Sequence, residues 1–110
     1  MSKDSLKYLK HIQYECIYLL FISQDLVYEK FIEDETLKRA VVRSLEVIGE
    51  ASKKIPADDK IKWNNIQWKN MAGMRDSLIH DYMGINYNIV WDVLKNKIPD
   101  MNIQITIYLQ

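Results

Sequence analysis

Of the 110 residues only one is cysteine, two are histidine, two proline and three glycine, and each shortage excludes a class of protein. Cys16 alone cannot close an intramolecular disulfide, and no Cys/His cluster has zinc spacing, so neither a disulfide scaffold nor a metal site is expected. So little glycine and proline excludes collagen-like and linker-like chains and leaves few places where a helix must stop. No charge sign dominates either: 15 basic side chains face 15 acidic ones, so no global positive field marks a nucleic-acid binder. The longest apolar run, residues 16–22, is seven residues behind Lys3, Lys7 and Lys10. It is far short of the roughly 20 needed to span a bilayer and lacks a small-residue cleavage site. A cytoplasmic chain with no membrane partner is expected. A glycine-rich phosphate loop, a His-Glu-x-x-His pair, a nucleophile elbow and an EF-hand loop are also missing.

What is present is a globular composition, 48% apolar and 27% charged, at the length of one domain, residues 1–110. Periodicity predicts an all-α antiparallel bundle of four to five helices. Ser5 is placed to cap a first helix over residues 5–24, packed through Leu6, Leu9, Ile12, Ile17 and Leu20, with Tyr8 and Phe21 beside them. Residues 25–34 are acidic and read as a short helical turn anchored by Val27, Tyr28, Phe31 and Ile32. A second long helix, Glu35–Lys54, repeats Leu37, Val41, Leu45, Ile48 and Ala51 at period 3.6 and stops at Pro56. Arg39, Arg43, Glu46 and Glu50 form a polar stripe on it, which intrahelical ion pairing alone would explain. Residues 56–64 read as a connector exposing Asp58, Asp59, Lys60 and Lys62, closed by Trp63. A third helix carries Trp68, Met71, Met74, Leu78 and Ile79, Gly84 and Asn86 break it, and a fourth covers residues 87–96. Pro99 is expected to start a separate last segment, helical by preference in an all-α chain.

Charge is uneven along the chain. Residues 25–35 hold five acids and one base, whereas residues 36–70 hold eight bases and four acids, so any polyanion site belongs to the second half. The chemistry concentrates in residues 74–84, where Arg75, Asp76, His80 and Tyr82 place a permanent cation, a carboxylate, an imidazole and a phenol within eight positions. On one helix Asp76 and His80, four apart, can meet, and the carboxylate would favour the imidazolium. Arg75 and Tyr82 share a face. Arg75 and His80 lie about 140° apart around the axis and about 7.5 Å along it, so one straight helix does not aim both at a single point. A shared site then needs a kink or a second copy of the chain. The plainer alternative is a surface Arg75–Asp76 pair, a boundary His80 and a core-edge Tyr82; His11 reads as a surface residue.

Three blocks shift that balance: residues 43–52 with Ile48-Gly49-Glu50-Ala51, the Met71-Ala72-Gly73-Met74-Arg75-Asp76 approach, and Arg75, four residues, His80, one residue, Tyr82. With these, nearly the whole chain resembles the HEPN-domain proteins of the HepT-like toxin family. The resemblance implies a homodimeric helical bundle in which two motif helices face one another. It implies a metal-independent endoribonuclease, without a cofactor, acting as the toxin of a type VII-like toxin-antitoxin pair. It also implies a partner, a minimal nucleotidyltransferase antitoxin that transfers AMP to the motif tyrosine, here Tyr82. Asp76 falls where the family uses Asp or Asn.

Those residue types suit the reaction. His80 can move protons near neutral pH, and the Arg75 guanidinium matches phosphate oxygens. Arg39 and Arg43 are candidates for contacts to the RNA backbone. The competing expectation is a noncatalytic HEPN dimer that binds a nucleotide or the nucleotidyltransferase and keeps Tyr82 only as an AMP acceptor. His80 separates the two, since catalysis needs it and AMP acceptance does not.

Overall fold

The computed structural model describes residues 3–79 and 84–110, with Lys3, Arg75, Ser77 and Ile79 described in their backbone alone. All regular structure among them is helical: α1 (Lys3–Ile22), α2 (Tyr28–Glu33), α3 (Glu35–Lys54), α4 (Ala57–Lys62), α5 (Trp68–Ile79), α6 (Tyr87–Asp92), a π-helical turn (Val93–Lys97) and α7 (Ile98–Tyr108). The all-α expectation therefore holds.

α1 is the central element. Its buried stripe is Ser5, Leu9, Ile12, Cys16, Leu19 and Ser23, at alternating steps of four and three. α3 packs along one side antiparallel to it, since Ser44 donates to Glu15 at 2.6 Å while Lys54 covers the Tyr8 ring at 5.8 Å. α7 packs on the other side, also antiparallel: Gln13 donates to Thr106 at 3.4 Å, and Leu20 shares a small cavity with Leu94 and Pro99. This placement corrects the sequence expectation for α1. Ile17 and Phe21 are 53% and 75% exposed, and Cys16 and Leu19 take the core positions. Ser5 does not cap the helix, which begins at Lys3; its buried hydroxyl donates to Asp59.

That hydrogen bond also corrects the connector. Residues 57–62 form α4, and Asp59 is buried beneath it instead of facing water. Asp34 is the clear N-cap, accepting the Leu37 N–H at 2.9 Å to start α3. Val41, Leu45, Ile48 and Ala51 of α3 are buried as the periodicity requires. In the short α2 Phe31 is buried, while Val27, the residue just before it, is half exposed. Phe31 lies against Trp91 and Tyr87 with ring centroids 5.3 and 6.2 Å apart, tying α2 to α6.

The chain's last segment is helical as expected, but it is not separate. Residues 87–108 form one continuous helix, and Pro99 sits inside it. In a regular helix its ring would strike the carbonyl of Lys95, and its nitrogen donates nothing. The π turn before it relieves this: the Ile98 N–H reaches back five residues to the Val93 carbonyl. Asn86 does end the preceding break, capping α6 by accepting the Asn88 and Ile89 N–H groups.

Candidate functional site

The first part of the segment rich in chemical side chains, through Ile79, lies on α5, and the start of that helix is anchored. At its start, Trp63, Trp68 and Tyr108 form an aromatic cluster, with Trp63 centred 6.4 Å from Trp68 and 6.2 Å from Tyr108. Two hydrogen bonds lock it: the Trp68 indole N–H donates to the Trp63 carbonyl at 3.0 Å, and the Asn65 N–H donates to the Tyr108 hydroxyl at 3.0 Å. Trp68, Met71, Met74 and Leu78 then run along the buried side of α5. Met71, Met74 and Leu78 thus fill the core of their own subunit.

Arg75 lies in α5, one residue beyond the buried Met74. Asp76 is half exposed, and its Oδ1 lies 3.8 Å from Nζ of Lys53, near the end of α3. Lys53 is a residue the sequence reasoning overlooked, since it sits 23 positions away among several similar lysines. His80 and Tyr82 lie outside the described residues, so the motif's own spatial arrangement is not part of this geometry. Arg39 and Arg43 are exposed on α3, and Arg43 pairs with Glu46 one turn on at 3.4 Å. That is the ordinary intrahelical pairing the spacing allows. Of these α3 cations, Lys53 is the one that reaches Asp76.

The remaining reactive groups are accounted for structurally. Burial, assisted by the nearby Glu15 carboxylate, pushes the Cys16 thiol up to about 12, so it is neutral at physiological pH. His11 is exposed, with Nε2 3.9 Å from Glu15. The Lys38 ammonium, hydrogen-bonded to Glu35 at 2.7 Å, holds that carboxyl below its usual range. Lys38 also lies 4.7 Å from the Tyr87 ring centre, bracing α3 against α6. Among the described residues no three His, Cys, Asp or Glu side chains gather as a metal site would require, and no helix is long and apolar enough to cross a membrane.

Comparison with known proteins places these residues in context. The pattern describing HepT-like ribonucleases matches residues 4–106. A candidate RNase of Caldanaerobacter subterraneus subsp. tengcongensis is 45% identical over 103 residues, covering 94% of this chain and 92% of its own. A candidate RNase of Methanocaldococcus jannaschii is 43% identical over 99 residues, 90% of this chain and 82% of that one. A protein named probable ribonuclease HepT, from Thermococcus cleftensis, is 38% identical over 101 residues and 92% of both chains. No solved structure matches significantly.

Proposed function

The chain belongs to the family of HepT-like ribonucleases, and from that premise we propose that it is a metal-independent endoribonuclease, the toxin of a two-component pair, using Arg75 and His80. The observation that carries this reading is the family match over residues 4–106, combined with the spacing of Arg75, His80 and Tyr82 inside it. In the proposed reaction the ribose 2'-OH attacks the adjacent phosphorus as its proton passes to a base. The bond from phosphorus to the 5' oxygen breaks and an acid protonates that oxygen, leaving a 2',3'-cyclic phosphate and a 5'-OH. His80 serves as the proton-transfer group. Arg75 neutralises the charge that builds on the phosphoryl oxygens.

One motif histidine per chain leaves one of the two proton transfers without a group, and the offset between Arg75 and His80 along a helix points the same way. A homodimer with two motif helices facing each other supplies both. Asp76 is a positioning residue for His80, and its contact with Lys53 holds the carboxylate on the α3 side. Arg39 and Arg43 add low-specificity contacts to the RNA backbone. In the same reading a cognate nucleotidyltransferase silences the enzyme by placing AMP on Tyr82, where the added phosphate would compete with RNA for the Arg75 guanidinium.

Purified protein incubated with RNA in EDTA tests the proposal. Cleavage products ending in cyclic phosphate are expected, with Arg75→Ala and His80→Ala each slower by about 10² to 10⁴ while their helicity is unchanged. Chelator-sensitive cleavage, or full activity of His80→Ala, would overturn the mechanism. Light scattering should return about twice the 13.1 kDa chain mass, and an active monomer would remove the two-copy site.

A further inference from the structure

Beside its buried stripe, α5 borders an open groove of about 350 Å³ that runs between it and the α6–π segment. Its floor is apolar, made by Met74, Ile89 and Val93, and its α5 rim carries Gln67 and Asn70. The Asn70 amide donates to the Gln67 carbonyl oxygen at 2.8 Å, which fixes the two side chains relative to one another. The pair still offers one amide NH₂ and one carbonyl oxygen, a donor and an acceptor side by side. Lys69 and Lys97 complete the lining, and neither has a carboxylate within ion-pairing distance among the described residues.

One further observation bears on this opening. Gly73, in the middle of α5, also lines the groove, and a Cβ added there would meet nothing within 4 Å. Glycine inside a helix costs stability, and this one is not required by close packing. Its effect is to leave the groove open on a face of α5 turned about 160° from Arg75.

We propose that this groove is a substrate subsite holding one unpaired nucleotide of the RNA that is cut, an inference that rests on the ribonuclease reading. The base face lies on Met74, Ile89 and Val93, the base edge meets the Gln67–Asn70 amide pair, and a flanking phosphate is neutralised by Lys69 or Lys97. An apolar floor, a paired donor and acceptor, and unpartnered cations correspond to the three parts of a nucleotide. A base inside a duplex is stacked on both faces and cannot enter, so the groove selects single-stranded RNA.

The test uses the full chain with a fluorescent single-stranded 12-residue RNA of mixed sequence, and the same RNA annealed to its complement. Binding is read by anisotropy in the His80→Ala background, and cleavage in the wild-type background. Gly73→Leu starts from a Cβ that meets nothing within 4 Å, extends its side chain into the groove, and should retain wild-type helicity. It should weaken single-strand binding by about tenfold or more, the loss expected for one base contact, and lower kcat/KM through KM. The double variant Gln67→Ala, Asn70→Ala should fold and cut, but with a changed base preference at one position of the bound strand. If wild-type protein cuts RNA and both groove variants match it in affinity, kcat/KM and cut sites, the subsite is wrong and the ribonuclease reading stands. If wild-type protein binds the single strand without cutting it, and Gly73→Leu abolishes that binding, the groove stands and the ribonuclease reading falls. Equal binding of duplex RNA, or no binding of single-stranded RNA, overturns the subsite. So does a groove whose variants lose only a protein partner.

Discussion

Lys53 and Asp76 meet across the seam between α3 and α5, Nζ to Oδ1 at 3.8 Å, one residue past Arg75. Both side chains are about half exposed, so water and salt screen the pair. A double-mutant cycle of Lys53→Ala and Asp76→Asn, measured by urea unfolding, should return a coupling below about 1 kcal/mol. A larger coupling would show the seam to be structural. The proposed positioning role would instead appear as a change in the pH profile of cleavage in Asp76→Asn at unchanged stability.

The face that α1 buries is testable by contrast. Leu19 is fully buried and Phe21, two residues on, is 75% exposed. Leu19→Ala should cost about 2 to 5 kcal/mol, whereas Phe21→Ala should cost under about 0.5 kcal/mol in urea melts. Equal costs would mean that Phe21 is covered in solution.

For Tyr82, incubation with the cognate nucleotidyltransferase and ATP should attach AMP to the peptide containing it. Mass spectrometry locates the group, and Tyr82→Phe should keep its ribonuclease activity yet escape silencing. Silencing of Tyr82→Phe by the partner would replace modification with simple occlusion.

Cys16 links burial to pH. Its thiol titrates near 9.0 when unfolded and about 12 when folded. Folding therefore favours the protonated thiol, and that contribution is complete below pH 9 and lost as pH rises from about 9 toward 12. Stability should fall more steeply above pH 9 in wild-type protein than in Cys16→Ala, as read from urea midpoints. At pH 8 the native thiol should label roughly 10²- to 10³-fold more slowly than in urea, because so little of it is thiolate. Fast native labelling would show that α1 opens locally.

The all-helical class and the α3 stripe were legible in the sequence because Val41, Leu45, Ile48 and Ala51 recur among polar residues at the helical period. The same signal fails in residues 16–22, which are apolar on every side, so periodicity has no contrast with which to choose a face. Only the positions of α3 and α7 on either side of α1 select Cys16 and Leu19 and leave Ile17 and Phe21 outside. Asp59 makes the point for a polar residue. Local sequence marks it as exposed, and its burial depends on Ser5, 54 positions away. Proline breaks regular helices, so the sequence predicts a separate segment from Pro99, whereas a π turn upstream joins that helix to the one before it.

The sequence by itself determined that Arg75, Asp76, His80 and Tyr82 stand in one short segment, since the motif is a matter of spacing along the chain. The tertiary structure decided what surrounds that segment. It turns Met71, Met74 and Leu78 into the core, brings Lys53 to Asp76, and opens a groove between α5 and the α6–π segment. Those relations join residues 15 to 30 or more positions apart, and such pairings are set by how amphipathic helices stack, which no local pattern encodes.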